Sequence, residues 1–191
     1  MKCLMCESLS LKHICNRCQK LYLSPKIYKR YLPNGTQIIS FYKYEAIKDL
    51  LHTKHTDIGF HIYNILAKNS FEKFANEFYF EENILSIAID DNVKGDYSHT
   101  AILNHHLKSK NIKPLYSKLR AQNSASYSGK SKSFRELNPR DFRLKNFRGE
   151  SLILVDDIVT TGATLSEAIA ILQSKGKEVL FCLTLCDVAN S

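Results

Sequence analysis

The 191-residue sequence predicts an α/β fold, a parallel sheet flanked by helices, with a small N-terminal unit of its own. Three observations carry this. Residues 152–185 read as strand, loop, helix, strand. Ile84 to Ile89 reads as another buried strand that ends in acids at Asp90 and Asp91. Cys3, Cys6, Cys15 and Cys18 crowd the first eighteen residues as C-x2-C-x8-C-x2-C. A strand–helix–strand unit feeds a parallel sheet, and paired cysteine knuckles mark a segment too short to bury a core.

In chain order, residues 1–33 form the first predicted domain and 34–191 the second, with Pro25, Pro33 and Gly35 at the exit. The knuckles read as a structural tetrathiolate zinc site. Four thiolates fill a tetrahedron and leave no open position for catalysis, and metal binding would supply the folding free energy of this unit. Disulfides in an oxidising compartment are the competing reading, and His13 is a candidate substitute ligand. Ile38 to Tyr42 alternates as a strand. Tyr44, Ile47, Leu50 and Leu51 have helical spacing, and Phe60 to Phe80 continues it with Ile62, Ile65 and Leu66 on one face. Phe71, Phe74 and Phe78 read as core aromatics rather than a base-stacking platform. After the strand at Ile84, Ser98 to Ser109 reads as a helix with Ile102, Leu103 and Leu107 on its face. Leu165, Ala168, Ile169 and Leu172 fall at i, i+3, i+4 and i+7, and Gly176 stops that helix as a C′ glycine. Val179 to Leu185 is the closing strand, with Cys182 and Cys186 as small buried hydrophobes.

Residues 152–165, Leu-Ile-Leu-Val-Asp-Asp-Ile-Val-Thr-Thr-Gly-Ala-Thr-Leu, carry the chemistry. An apolar strand runs into two acids, then into a hydroxyl-rich loop, then into a helix. In such a unit a ligand lies beyond the carboxyl end of the strand. Asp156 and Asp157 can accept hydrogen bonds from adjacent ribose hydroxyls. Thr160, Thr161, Gly162, Ala163 and Thr164 can wrap a phosphate, towards which the helix aims its positive N-terminus. The loop is not a Walker A sequence, since no Lys follows a spaced glycine pair, nor a dinucleotide fingerprint, since it has one glycine. The plain alternative is a buried strand and an N-capped helix with two incidental acids.

The composition is that of a globular protein, 44% apolar and 24% charged, and no stretch approaches a membrane span. The N-terminus lacks the apolar core of a signal peptide, so the expected compartment is cytoplasmic. A formal charge of +8 points to a polyanionic partner or an acidic membrane surface. The charge concentrates between Lys108 and Arg148, where twelve Lys and Arg face only Glu136 and Asp141, with Tyr116, Tyr127, Phe134, Phe142 and Phe147 interleaved. Cations that track phosphates and rings that stack on bases suit single-stranded nucleic acid. Lys130, Lys132, Arg135, Arg140 and Arg143 are the candidate contacts. A solvated loop, or cations reserved for a pyrophosphate, are the competing readings.

The 152–165 segment resembles the diphosphoribosyl-binding motif of type I phosphoribosyltransferases. The resemblance implies that Asp156 and Asp157 take the ribose and Thr160 to Thr164 the 5-phosphate of phosphoribosyl pyrophosphate, with Mg²⁺. Joined to a zinc ribbon, the chain resembles the ComF/ComFC competence-protein family. Lys94-Gly95-Asp96-Tyr97 looks like that family's Arg-Gly-Phe-Asn-Gln segment, and Arg135, Asn138 and Phe142 look like its Arg-x2-Asn-x3-Phe segment. The family resemblance implies a cytoplasmic DNA-uptake factor in natural transformation, working beside the uptake machinery at the inner membrane. The sequence departs from the family where Ile87-Ala88-Ile89 leads into Asp90-Asp91-Asn92-Val93-Lys94. Two acids there repel a pyrophosphate unless magnesium bridges them, which favours ligand binding over turnover. An active transferase of unknown acceptor is the alternative.

Overall fold

Leu152, Ile153, Leu154 and Val155 are each fully buried. A strand buried on both faces belongs in the middle of a parallel sheet covered on both sides, and that is where the computed structural model places it. The structure describes residues 1–90, 97–122 and 140–190. The strands are β1 (Tyr28–Tyr31), β2 (Gln37–Lys43), β3 (Ile84–Asp90), β4 (Ile112–Ala121), β5 (Phe142–Leu144), β6 (Ser151–Val159) and β7 (Glu178–Asp187). They form one sheet in the order β1-β2-β7-β6-β3-β4-β5. The five central strands run parallel, while β1 and β5 close the two edges antiparallel.

The helices are α1 (Asn16–Tyr22), α2 (Tyr44–Leu51), α3 (Asp57–Asn69), α4 (Phe71–Glu77), α5 (His99–His105) and α6 (Ala163–Ser174), with a 3-10 turn at His52–His55. Two apolar layers hold them to the sheet. On one face Ile47, Leu51, Ile62, Leu66 and Leu103 pack with Phe41, Ile153, Val155 and Leu183. On the other, Leu165, Ala168, Ile169 and Leu172 of α6 pack against Ile38, Leu152, Leu154 and Cys182. Burial of each of the larger aliphatic chains contributes roughly 1.5–3 kcal/mol. The end of α6 follows from Gly176 at φ +71°: the N–H of Lys177 bonds to Leu172 O at 3.0 Å and that of Gly176 to Gln173 O at 2.9 Å. This is a Schellman closure.

The α/β class read from the sequence, a parallel sheet flanked by helices, is the one the chain adopts. The helical run from Phe60 is two helices, parted at Ser70, whose hydroxyl bonds back to Leu66 O at 2.7 Å. Phe71, Phe74 and Phe78 do pack inwards, against Phe41 and Phe181. The helix expected over Ser98 to Ser109 spans only His99–His105; Ser98 is its N-cap, accepting from the N–H of Ala101 at 3.1 Å. Cys182 and Cys186 are fully buried in β7. Two strands had no clear sequence signature. In β4, Pro114 and the positive φ of Ser117 (52°) break the alternation, and the register slips beside them. β1 is only four residues long and alternates half-buried with exposed.

The N-terminal segment lies on the α3 side of the sheet. Cys3, Ile14, Cys18 and Leu23 are buried in the same core as Phe41 and Leu66. His13 stacks on His61 of α3, ring centroids 4.3 Å apart. Residues 28–31 belong to the main sheet as β1.

Candidate functional site

The paired acids stand near the carboxyl end of β6, in register with β7 through Asp156–Thr184 and Ile158–Cys186. Successive side chains of a strand point to opposite faces. Asp156 therefore shares the face of Leu152, Leu154 and α6, and Asp157 the face of Ile153, Val155 and α3. Both are buried, 9% and 7% exposed.

Asp157 is surrounded by donors from three other elements. His99 Nε2 lies 3.2 Å and Lys54 Nζ 3.4 Å from its Oδ2, and the Tyr63 hydroxyl donates to the same oxygen at 3.4 Å. Oδ1 accepts from the N–H of Ile158 at 2.8 Å. Burial acts to raise the carboxyl pKa, but His99 and Lys54 outweigh it and hold Asp157 well below the usual carboxylate range. The same burial, with the carboxylate beside it, pushes the Tyr63 hydroxyl far above its ordinary value, so it stays a neutral donor. The 3-10 turn that carries Lys54 is fixed in turn by Tyr97, whose hydroxyl donates to Lys54 O at 2.7 Å. Gly59 permits that approach: a Cβ there would overlap Thr53 O and the Tyr97 hydroxyl.

Thr160 to Gly162 join β6 to α6, and Ala163 and Thr164 open the first turn of that helix. Gly162 is the N-cap of α6 at φ +83°, a left-handed conformation that glycine adopts without cost. A Cβ at this position would also overlap Leu32 Cδ2. Glycine offers no side-chain cap and the first turn of α6 holds no acid, so the helix presents N–H groups and a positive dipole end at the loop. Thr161 Oγ1 accepts from the N–H of Ala163 at 3.3 Å. Thr160, Ala163 and Thr164 are half-buried, and Thr161 is exposed. Arg30 of β1 reaches across to donate through Nη2 to Thr160 O at 2.7 Å, while its Nε pairs with Asp187 Oδ2 at 2.5 Å. The loop, Asp156 and Asp157 thus gather at one end of the sheet with Arg30, Lys54, Tyr63, His99 and Asp187, drawn from distant stretches of chain.

Those additional residues carried no local signal in the sequence. Lys54 and Tyr63 meet Asp157 across 103 and 94 positions of chain. Arg30 meets Thr160 across 130. Of the predicted nucleic-acid contacts, Arg143 is exposed on β5, directly opposite Arg120 of β4. The backbone N–H of Arg140 donates to Glu167 of α6 at 3.0 Å. Lys130, Lys132 and Arg135 lie outside the described residues, as do Asp91, Asn92, Asn138 and the Lys94–Asp96 segment. Asp90 is buried at the end of β3 and accepts from the Ser98 hydroxyl at 3.2 Å.

The ligand atoms of Cys3, Cys6, Cys15 and Cys18 all lie within 4.8 Å of one another, with the Cys6 and Cys15 sulfurs 3.8 Å apart. Tetrahedral Zn–S bonds of about 2.3 Å require S···S edges of about 3.8 Å, so the cluster fits a four-coordinate metal. The N–H groups of Cys15 and Cys18 donate to the sulfurs of Cys3 (3.3 Å) and Cys15 (3.4 Å), which favours thiolate. The Cys15 N–H leads in lowering the Cys3 thiol to about 6, while burial and neighbouring sulfurs push Cys18 up to about 12. A bound cation would bring all four down together.

A phosphoribosyl transferase domain model matches residues 106–191, which include β6, the loop and α6. No curated protein matches the chain. Among solved structures, hypoxanthine phosphoribosyltransferase from Staphylococcus aureus is 18% identical with a TM-score of 0.40, covering 67% of this chain and 64% of its own. This chain thus spans just under two thirds of that protein's length. Orotate phosphoribosyltransferase from Aeropyrum pernix is 16% identical, TM-score 0.40, over 90% of this chain and 80% of its own. Orotate phosphoribosyltransferase from Mycobacterium tuberculosis H37Rv, in complex with inorganic phosphate, is 14% identical, TM-score 0.41, over 91% and 78%.

Proposed function

We propose that the end of β6 binds phosphoribosyl pyrophosphate or a related ribose phosphate. The observation that carries this is the joint placement of two buried carboxylates and a helix N-terminus whose N-cap is a glycine held at φ +83°. The phosphoribosyl transferase domain match over 106–191 supports it. Asp156 and Asp157 meet the ribose hydroxyls, and Thr160, Thr161, Gly162, Ala163 and Thr164 wrap the 5-phosphate. Mg²⁺ accompanies the pyrophosphate, adding positive charge where Asp90, Asp156 and Asp157 supply negative. The four cysteines hold a structural zinc and staple the segment around them against α3.

The protein serves, on this reading, as a cytoplasmic DNA-uptake factor of the ComF/ComFC kind, binding single-stranded DNA at its basic segment beside the uptake machinery of the inner membrane. The +8 charge and its concentration in residues 108–148 support that role. Among the described residues no helix is long and apolar enough to cross a membrane. Calorimetry with phosphoribosyl pyrophosphate and Mg²⁺, repeated on protein preloaded with single-stranded DNA, tests both parts. Saturable binding to two sites supports the proposal, and the absence of either heat removes the corresponding half. Pyrophosphate release in the presence of a nucleobase would move the reading to an active transferase.

A further inference from the structure

The Arg30 side chain joins the carboxyl ends of β6 and β7, both distant from it in sequence. It sits on an edge strand, 25% exposed, yet its Nε pairs with Asp187, which is 1% exposed. Its Nη2 bonds to the carbonyl of Thr160, the first residue of the proposed phosphate loop. Asp187 is itself fixed, accepting through Oδ1 from the N–H of Ala189 at 2.9 Å. Two residues along from Arg30, Leu32 is buried against the face of Gly162. The strand segment 30–32 therefore meets the loop twice, once by a charged hydrogen bond to its backbone and once by packing at its left-handed residue.

We infer that Arg30 is a positioning residue for the phosphate loop, holding the Thr160 carbonyl turned away from the site so that the following N–H groups face it. This rests on the ribose-phosphate reading of the loop. A peptide plane carries its C=O and the next N–H on opposite sides. Anchoring Thr160 O towards β1 therefore directs the N–H of Thr161 the other way. Asp187 neutralises the guanidinium, so Arg30 orients the loop without adding a free cation to it. A planar fork can serve a carboxylate and a carbonyl together, whereas a lysine ammonium on a flexible stem has no such fixed pair of directions.

Arg30→Lys keeps the charge opposite Asp187 and gives up the fork. Expected in the ligand-free variant is amide hydrogen exchange about tenfold faster at residues 161–164, with β1, β2 and β7 little changed and the melting midpoint close to wild type. Affinity for ribose 5-phosphate should fall about tenfold, the equivalent of one charge-assisted hydrogen bond. In wild-type protein the Arg30 Nε–H resonance should be protected from solvent exchange. Overturning results are a rapidly exchanging Arg30 Nε–H, unchanged loop exchange in Arg30→Lys, or faster exchange spread evenly over the sheet, which a merely structural residue would give. If wild-type protein gives no heat with ribose 5-phosphate, the ligand reading fails while the loop exchange still decides the role of Arg30. If wild type binds and Arg30→Lys binds equally well, the role of Arg30 fails alone.

Discussion

Replacing Asp157 by Asn keeps its shape and the acceptor for Ile158 but removes the charge facing Lys54 and His99. At 3.4 Å the attraction to Lys54 is about 5 kcal/mol at an effective dielectric near 20 and about 1 kcal/mol in water. The Lys54 side chain is 29% exposed, and burial of Asp157 carries a desolvation cost, so the net coupling should be about 1–2 kcal/mol. The single variant should cost somewhat more, about 2–3 kcal/mol, because His99 and Tyr63 lose their acceptor's charge as well. In a domain of this size that is a fall of roughly 5–10 °C in melting midpoint. Denaturant unfolding of wild type, Lys54→Met, Asp157→Asn and the double variant isolates the coupling. The pH dependence gives a second handle. A carboxyl whose folded pKa is lowered stabilises above its unfolded value, and that contribution is lost as pH falls towards the folded one. The gap between wild type and Asp157→Asn should shrink below about pH 4. A coupling under about 0.3 kcal/mol, or a gap that persists undiminished in acid, would refute the ion-paired carboxylate.

Other variants probe the neighbouring parts. Gly162→Ala places a Cβ in a left-handed conformation and against Leu32, so it should cost about 1–2 kcal/mol and weaken ribose 5-phosphate binding by calorimetry more than it lowers the melting midpoint. Gly59→Ala collides with backbone at Thr53 as well as with Tyr97, and should cost about 3 kcal/mol by denaturant unfolding, since the 3-10 turn cannot yield without moving Lys54. Stripping the metal with a chelator should lower the melting midpoint and release one zinc per chain by elemental analysis, because Cys3 and Cys18 belong to the main core. Removing Lys130, Lys132 and Arg135 together should reduce the salt slope of single-stranded DNA binding by about 2, and an unchanged slope would exclude that segment from the interface.

The parts of this protein legible in its sequence are those whose signal is local. The run Leu152 to Val155, buried on both faces, announces a central strand, and the spacing of Leu165 to Leu172 announces the helix behind it. The same holds for Asp156, Asp157 and the Thr160 to Thr164 loop, which lie on fourteen consecutive residues. What surrounds them was not legible, because Arg30, Lys54, Tyr63 and His99 come to the site only through sheet order and helix packing. Strand β4 was obscured for a different reason: a strand with a proline, a residue at positive φ and three basic residues, Lys113, Lys118 and Arg120, lacks the period that marks a buried strand. Adjacent acids in a sequence look equivalent, whereas the strand turns them to opposite faces and gives Asp157 its own set of partners.

Calorimetric titration of the full chain with ribose 5-phosphate, alongside an Asp156→Asn variant, tests the central claim most directly. Asp156 shares the face of α6 and the loop, so wild type should bind saturably and the variant should bind about tenfold more weakly or worse, with its fold intact. No heat from wild type at millimolar ligand, or equal affinity in both proteins, would contradict a ribose-phosphate site at the end of β6.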